Sequence, residues 1–276
     1  MSSRMAEAFL QGFDELRHEP VQKRVRALVG DAVAVESTRA LLVYEPRRVV
    51  PSYAVPAADI LGELIPESAT TEDTDGAGFR MGGVLEGQRI LDPSIPFSVH
   101  TAEGEPLSLR VNGDTRAAVG FRPADPDLSD HVILDFDGFD AWYDEDEQVF
   151  SHPRDPFHAM EILPSSREVR VELDGQVLAQ SRRARLLFEG TLLPVRAYLP
   201  REDVRAELRP SPKRTQCAYK GDASYFSIDG HEDIAWLYET PLRGAEDIAG
   251  RIAFFNEKVD LFLDGERLER PLTPWS

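Results

Sequence analysis

A mainly β protein built from two tandem copies of one small domain is what the sequence predicts. Three observations predict it. Short stretches recur in order at fixed offsets. Apolar residues alternate in short runs closed by Asp-Gly or Asn-Gly. Helical spacing is scarce. The recurrences begin with Val25-Arg26 and Val169-Arg170, Ser37-Thr38-Arg39-Ala40 and Ser181-Arg182-Arg183-Ala184, and Leu42-Val43-Tyr44-Glu45 and Leu186-Leu187-Phe188-Glu189. Pro56-Ala57-Ala58-Asp59-Ile60 then answers Pro200-Arg201-Glu202-Asp203-Val204 at the same offset of 144. Leu107–Gly113 answers Ser224–Gly230 at 117, and Phe139–Trp142 answers Val259–Phe262. Several matches in order point to duplication. The loss of 27 residues of offset assigns the first copy an insertion near 63–91, with a mobile acidic loop at Glu67–Gly76.

The elements follow in chain order. Met5, Phe9, Phe13 and Leu16 stand near helical spacing, so a helix is expected over Ser3–Arg17 as a lid on one domain face. It belongs to an N-terminal segment, residues 1–20, ahead of a first, degenerate domain at 21–150. Asn112-Gly113 marks a hairpin in that domain. The run His152-Pro153-Arg154-Asp155-Pro156-Phe157-His158 predicts an extended linker over 151–166. The second domain, 167–276, opens with Val169-Arg170-Val171-Glu172-Leu173, whose alternation ends in Asp174-Gly175. Pro200–Val204 reads as a short helical turn, with acids beside its N-terminal dipole. Phe226 and Ile228 lead into Asp229-Gly230, and Ile234–Tyr238 returns. Gly244–Ile252 is a further turn, and Asp264-Gly265 closes the last hairpin.

Composition narrows the function. The net charge of −18 argues against a nucleic-acid partner. Residues 1–150 hold 28 of the 49 acids and 13 of the 31 bases, so the second half is the better host for an anion. One cysteine, Cys217, rules out an intrachain disulfide and a cysteine-based zinc site. No long apolar run and no secretory signal stand in the sequence, so a cytoplasmic protein without a membrane partner is expected. No cofactor and no metal are expected. His152 and His158 read as surface linker residues, and Asp135-Phe136-Asp137 as a strand-end turn.

The segment Thr215–Phe226 carries the chemistry. If Phe226 and Ile228 face the core, strand alternation puts Ser224, Asp222 and Lys220 on the same face. Buried polar groups need partners, so this row predicts a cavity around a small polar or anionic molecule, walled by Trp236. Arg183, Tyr198, Cys217, Tyr219 and Tyr225 complete the candidate ligand-binding set with Lys220, Asp222, Ser224 and Trp236. In the first copy Lys220, Ser224 and Cys217 become Glu103, Leu107 and His100. The site is therefore expected in the second copy alone.

These residues resemble a known family. Val169–Gly175, Leu199–Val204, Cys217-Ala218-Tyr219-Lys220-Gly221-Asp222-Ala223-Ser224-Tyr225-Phe226 and Ala235–Tyr238 are similar to the domain-of-unknown-function 427 family, whose members are single or tandem domains. Ala218 stands where that family often has proline. The resemblance implies a β-tent in each copy: two small antiparallel sheets with short helices, pinned at one end and open at the other. Such a fold is similar to the thalidomide-binding domain of cereblon and to methionine-R-sulfoxide reductases. Three functions stay open. One is a small-molecule binding protein. Another is an enzyme, nucleotidyltransferase-like or cysteine-dependent, using Cys217, Lys220 and Asp222. The third is a non-catalytic interaction or scaffold protein. A homodimer is also left open.

Overall fold

A computed structural model describes residues 2, 5–9, 11–68, 77–80, 89–190 and 193–276. The chain divides into two compact units between Asp155 and Pro156. Both are mainly β, and every named strand pair is antiparallel.

The first unit opens with helix α1 (Met5–Phe9), much shorter than the helix expected over Ser3–Arg17. Gly12, at φ 77°, turns the chain out of the helix, and Arg17 already begins a strand. Phe13 is buried; the spacing that suggested a helix comes from a turn that packs one side chain inward. The strands are β1 (Arg17–Pro20), β2 (Val25–Val29), β3 (Ala32–Ser37), β4 (Leu41–Tyr44), β5 (Ser52–Pro56), β6 (Glu63–Pro66), β7 (Phe79–Arg80), β8 (Arg89–Ile90), β9 (Gly104–Val111), β10 (Asp114–Pro123), β11 (His131–Leu134), β12 (Ala141–Asp144) and β13 (Glu147–Val149). They form a seven-stranded sheet, β1-β4-β5-β11-β10-β9-β6, a four-stranded sheet, β13-β12-β2-β3, and the small pair β7-β8. The first five residues of the expected insertion thus include an ordered edge strand, β6. Its acidic loop lies, from residue 69 on, outside the described residues.

The second unit contains β14 (Met160–Ser165), β15 (Val169–Leu173), β16 (Gln176–Ser181), β17 (Ala184–Glu189), β18 (Arg196–Tyr198), β19 (Arg209–Cys217), β20 (Gly221–Ile228), β21 (His231–Tyr238), β22 (Ala253–Phe254), β23 (Asp260–Leu263) and β24 (Glu266–Arg267). Its sheets run β14-β17-β18, β19-β20-β21-β22 and β16-β15-β23-β24. The stretch expected to be linker, 151–166, therefore contains a paired edge strand, β14. Proline at 164 is tolerated at a sheet edge. Single 3-10 turns occupy Arg201–Asp203 and Glu246–Ile248, where short turns were expected.

Strand order is common to both units. An antiparallel bridge, Leu199↔Ile252, joins the β14-β17-β18 sheet to β22. The combined order β14-β17-β18-β22-β21-β20-β19 then follows β1-β4-β5-β11-β10-β9-β6 member for member. The bulge in β2–β3 falls at Ala27/Leu28 and that in β15–β16 at Val171/Glu172. A side-chain clasp also recurs. Ser37 Oγ donates to Asp59 (2.6 Å), accepts from Arg39 N–H (3.0 Å), and Arg39 Nη2 reaches the other Asp59 oxygen (2.6 Å). Ser181, Asp203 and Arg183 repeat all three bonds at 2.6, 2.9 and 2.7 Å. Both serines are buried, so losing the hydroxyl strands Asp59 or Asp203 partners. We expect Ser37→Ala and Ser181→Ala each to lower stability by about 1 kcal/mol, read by denaturant unfolding of the full chain.

One core in each unit lies between its sheets. In the second it holds Val169, Val171, Leu186, Phe226, Ile228, Ile252 and Leu261. A separate cluster covers the opposite face of the larger sheet: Leu187, Tyr198, Ala223, Tyr225, Trp236, Tyr238, Ile248 and Phe255. Period-two alternation makes this division, since Leu186 and Leu187, or Phe226 and Tyr225, point to opposite faces. The matching cluster of the first unit is smaller and lacks tyrosine and tryptophan: Val43, Ala54, Phe121, Leu128 and Ile133.

Candidate functional site

β17 ends at Glu189, and β20 begins at Gly221. Gly221 adopts φ 91°, a left-handed conformation open to glycine. That residue closes a tight turn over Ala218–Lys220 between β19 and β20. The turn carries Lys220 inward, leaving it 7% exposed, and its ammonium donates a short hydrogen bond to Glu189 Oε1. The same oxygen contacts His158 Nε2 at 3.1 Å. His158 reaches it from the turn just before β14, and its ring stacks on Tyr219 with centroids 4.1 Å apart. Burial by itself would push the Glu189 carboxyl up. The His158 hydrogen bond and the Lys220 charge outweigh that and hold it down at about 2, so the site contains an ionised carboxylate.

The aromatic cluster adjoins this trio. Tyr198 is fully buried, and its oxygen accepts from Trp236 Nε1 at 3.2 Å. Burial and the nearby Glu189 charge raise the Tyr198 phenol far above its ordinary range, and burial also raises Tyr238. Both stay neutral donors. Tyr225 shares a hydrogen bond with Thr215 Oγ1 (2.8 Å) and stacks on Phe255.

The expected polar row does not exist as drawn. Lys220 lies in the turn, where strand alternation has not begun. Asp222 is exposed and accepts from Gln216 Nε2 (2.9 Å), and Ser224 is half-buried. The residues that share the cluster with Trp236 are Ala223 and Tyr225, the opposite parity. Cys217 is half-buried against the same aromatic cluster, with its sulfur accepting from Tyr219 N–H at 3.5 Å. Arg183 stands apart, exposed and held by Asp203 and Glu202. Lys220, Tyr198, Tyr219, Tyr225, Trp236 and Cys217 are thus brought to one face; Asp222 and Arg183 are not. Sequence reasoning missed Glu189 and assigned His158 to linker. The one available signal was that Glu45 stands at the same offset of 144 from Glu189 as the neighbouring sequence matches.

Glu45 gives the contrast. It is buried at the same point of the first unit, with His100 Nδ1 on Oε1 (3.0 Å) and the N–H groups of Thr101 and Ala102 on Oε2 (2.9 and 3.3 Å). Both its oxygens are filled, two bonds coming from backbone. Glu189 Oε2 accepts no hydrogen bond among the described residues, and Lys220 makes one where an ammonium can make three.

Residues 161–265 match the family model NTP_transf_9, a domain of unknown function (DUF427). The matched stretch holds Glu189, Tyr198, Lys220 and Trp236; His158 lies just before it. No curated protein matches the chain. Among the described residues, no cluster of three His, Cys, Asp or Glu side chains could hold a metal, and no helix is long and apolar enough to cross a membrane.

Proposed function

We propose that this protein is a small-molecule binding protein whose recognition group is the Glu189–Lys220–His158 trio of the DUF427 unit. The observation that carries the reading is the unfilled valence of that trio. Among the described residues Glu189 keeps one oxygen and Lys220 two N–H groups without a hydrogen bond, in side chains that are otherwise largely buried. A small polar molecule offering one donor and two acceptors would complete both. His158 and Tyr219 form the stacked pair at its edge.

The cysteine-dependent alternative loses support from the same geometry. Its three groups take unrelated partners: Cys217 the Tyr219 amide, Lys220 Glu189, and Asp222 Gln216. A thiol nucleophile wants a base or cation at hand, and here it packs among aromatic side chains.

We also infer that the first unit is a duplicate of the second in which this position serves folding. The recurring clasp, bulge and strand order support the duplication. The backbone-filled Glu45 supports the structural role.

A thermal-shift series on the full chain tests the binding reading with small carboxylic acids, amides and polyols. At least one class is expected to raise a melting transition by a few degrees. The double variant Glu189→Gln/Lys220→Met, which removes both charges together, should abolish that shift. No response in any class, or an equal response in the double variant, would overturn the assignment.

A further inference from the structure

One hydroxyl in the aromatic cluster beside the trio has no partner. Tyr238 stands on β21 opposite Ala223, and its ring lies 6.5 Å from that of Tyr198, centroid to centroid. The residue is 6% exposed. Its oxygen makes no hydrogen bond among the described residues. Nor is that oxygen sealed off, since it keeps a small opening to the outside. Burial keeps the phenol protonated, and the Glu189 charge acts on it. Tyr238 is therefore an unused donor on the face that carries the trio.

The first unit shows what packing alone requires at this place. Pro106 stands at the same offset of 117 from Ala223 as the neighbouring sequence matches, and its partner across β9–β10 is Phe121. Phe121 is buried in the matching cluster of that unit. One aromatic ring fills the position in both units, and only the unit with the trio adds a hydroxyl. A phenol left unbonded in a protein interior is a cost that packing does not recover.

Charge and valence narrow what the hydroxyl meets. The Lys220 ammonium neutralises the Glu189 carboxylate, so the pair has no charge left over for an ion. Unmade donors outnumber unmade acceptors: two Lys220 N–H groups and the Tyr238 O–H stand against one Glu189 oxygen. Resting on the binding reading above, we propose that Tyr238 is a specificity-determining donor of the same site, and that the ligand is an uncharged carbonyl compound with one donor. The ligand's own O–H or N–H goes to Glu189, and its acceptor oxygens take Lys220 and Tyr238.

Thermal-shift titration of the full chain with N,N-dimethyllactamide tests this against lactate. The amide is uncharged and carries a single O–H; lactate is the same skeleton as an anion. The amide is expected to raise the melting transition, and lactate to raise it less. Tyr238→Phe should leave the ligand-free melting temperature unchanged, since no hydrogen bond is lost. It should also raise the amide concentration needed for half the shift by about fivefold. A shift that survives Tyr238→Phe unaltered, or an equal response to lactate, overturns this inference and leaves the trio assignment standing. A fall of about 2–4 °C in the ligand-free variant would place the hydroxyl in a bond within the fold and overturn it as well. No shift with either probe also overturns it, and the trio assignment falls too only if the wider series of carboxylic acids, amides and polyols is silent.

Discussion

Lys220→Met should lower the stability of the full chain by about 3–5 kcal/mol, the largest single-residue effect outside the apolar cores. The side chain it removes is nearly fully buried and bonded to a buried carboxylate. Methionine keeps most of the volume, so a cavity contributes little. What remains is Glu189 as an ion, with His158 as its one hydrogen-bond partner. Removing one member of a buried pair leaves an uncompensated charge, which costs far more than the pair's net worth. Removing both members is expected to restore most of the loss. Glu189→Gln/Lys220→Met should therefore be at least 2 kcal/mol more stable than the sum of the two single variants, in a cycle read by denaturant unfolding (an order-of-magnitude figure). A Lys220→Met cost near that of exposed pairs, about 0–1 kcal/mol, would place the trio in water and remove the basis for a desolvated site.

How much of this was legible in the sequence depends on the distance over which each signal acts. Turns are local. Asn112-Gly113, Asp174-Gly175 and Asp264-Gly265 all have positive φ at both residues, as two-residue hairpins require. At Asp229-Gly230 the dipeptide was read correctly as a turn, yet only Gly230 has positive φ; the left-handed Asp233 lies beyond the turn, within β21, where the β20–β21 register shifts. Strand alternation is local too, and it held from Ala223 to Phe226 because those residues lie within β20. It failed at Lys220 because a turn resets the period, and nothing in the residue string marks where the strand starts. The helix over Ser3–Arg17 failed for a related reason. A stretch of four apolar residues fits helical spacing, but Gly12 permits a backbone conformation that ends the helix first.

The site itself was only half legible. Lys220, Tyr198 and Trp236 stood out by type, whereas Glu189 and His158 did not. Each of these two is 31 residues from its partner along the chain. A glutamate closing an apolar strand reads as a solvated end, and a histidine after Pro156-Phe157 reads as linker. The sequence offset held the missing information. Glu45 and Glu189 fall at the offset of the neighbouring matches, and a charged side chain at the end of the corresponding strand in both units had reason to be inside.

Acidification supplies the sharper test of that buried carboxylate, because its sign separates two physical pictures. Glu189 titrates near its ordinary 4.5 when the chain is unfolded and at about 2 when folded. Between those values the unfolded chain binds more protons, so stability falls as pH falls. The contribution is fully present above pH 4.5 and is lost on the way to pH 2. The separation corresponds to about 3 kcal/mol, of which about 2 kcal/mol should be gone by pH 3. Other carboxylates held low in the fold, Glu45, Asp59, Asp203 and Glu257, add their own acid lability. The Glu189→Gln variant isolates the one in question. Unfolding measured at pH 6 and pH 3 should show the wild type losing about 2 kcal/mol more than Glu189→Gln over that interval. Were burial the stronger influence, the carboxyl would be neutral in the fold and the difference would change sign, the wild type gaining on its variant in acid. In that case Lys220 and His158 would face an uncharged acid, and the trio could no longer hold a polar ligand through a carboxylate.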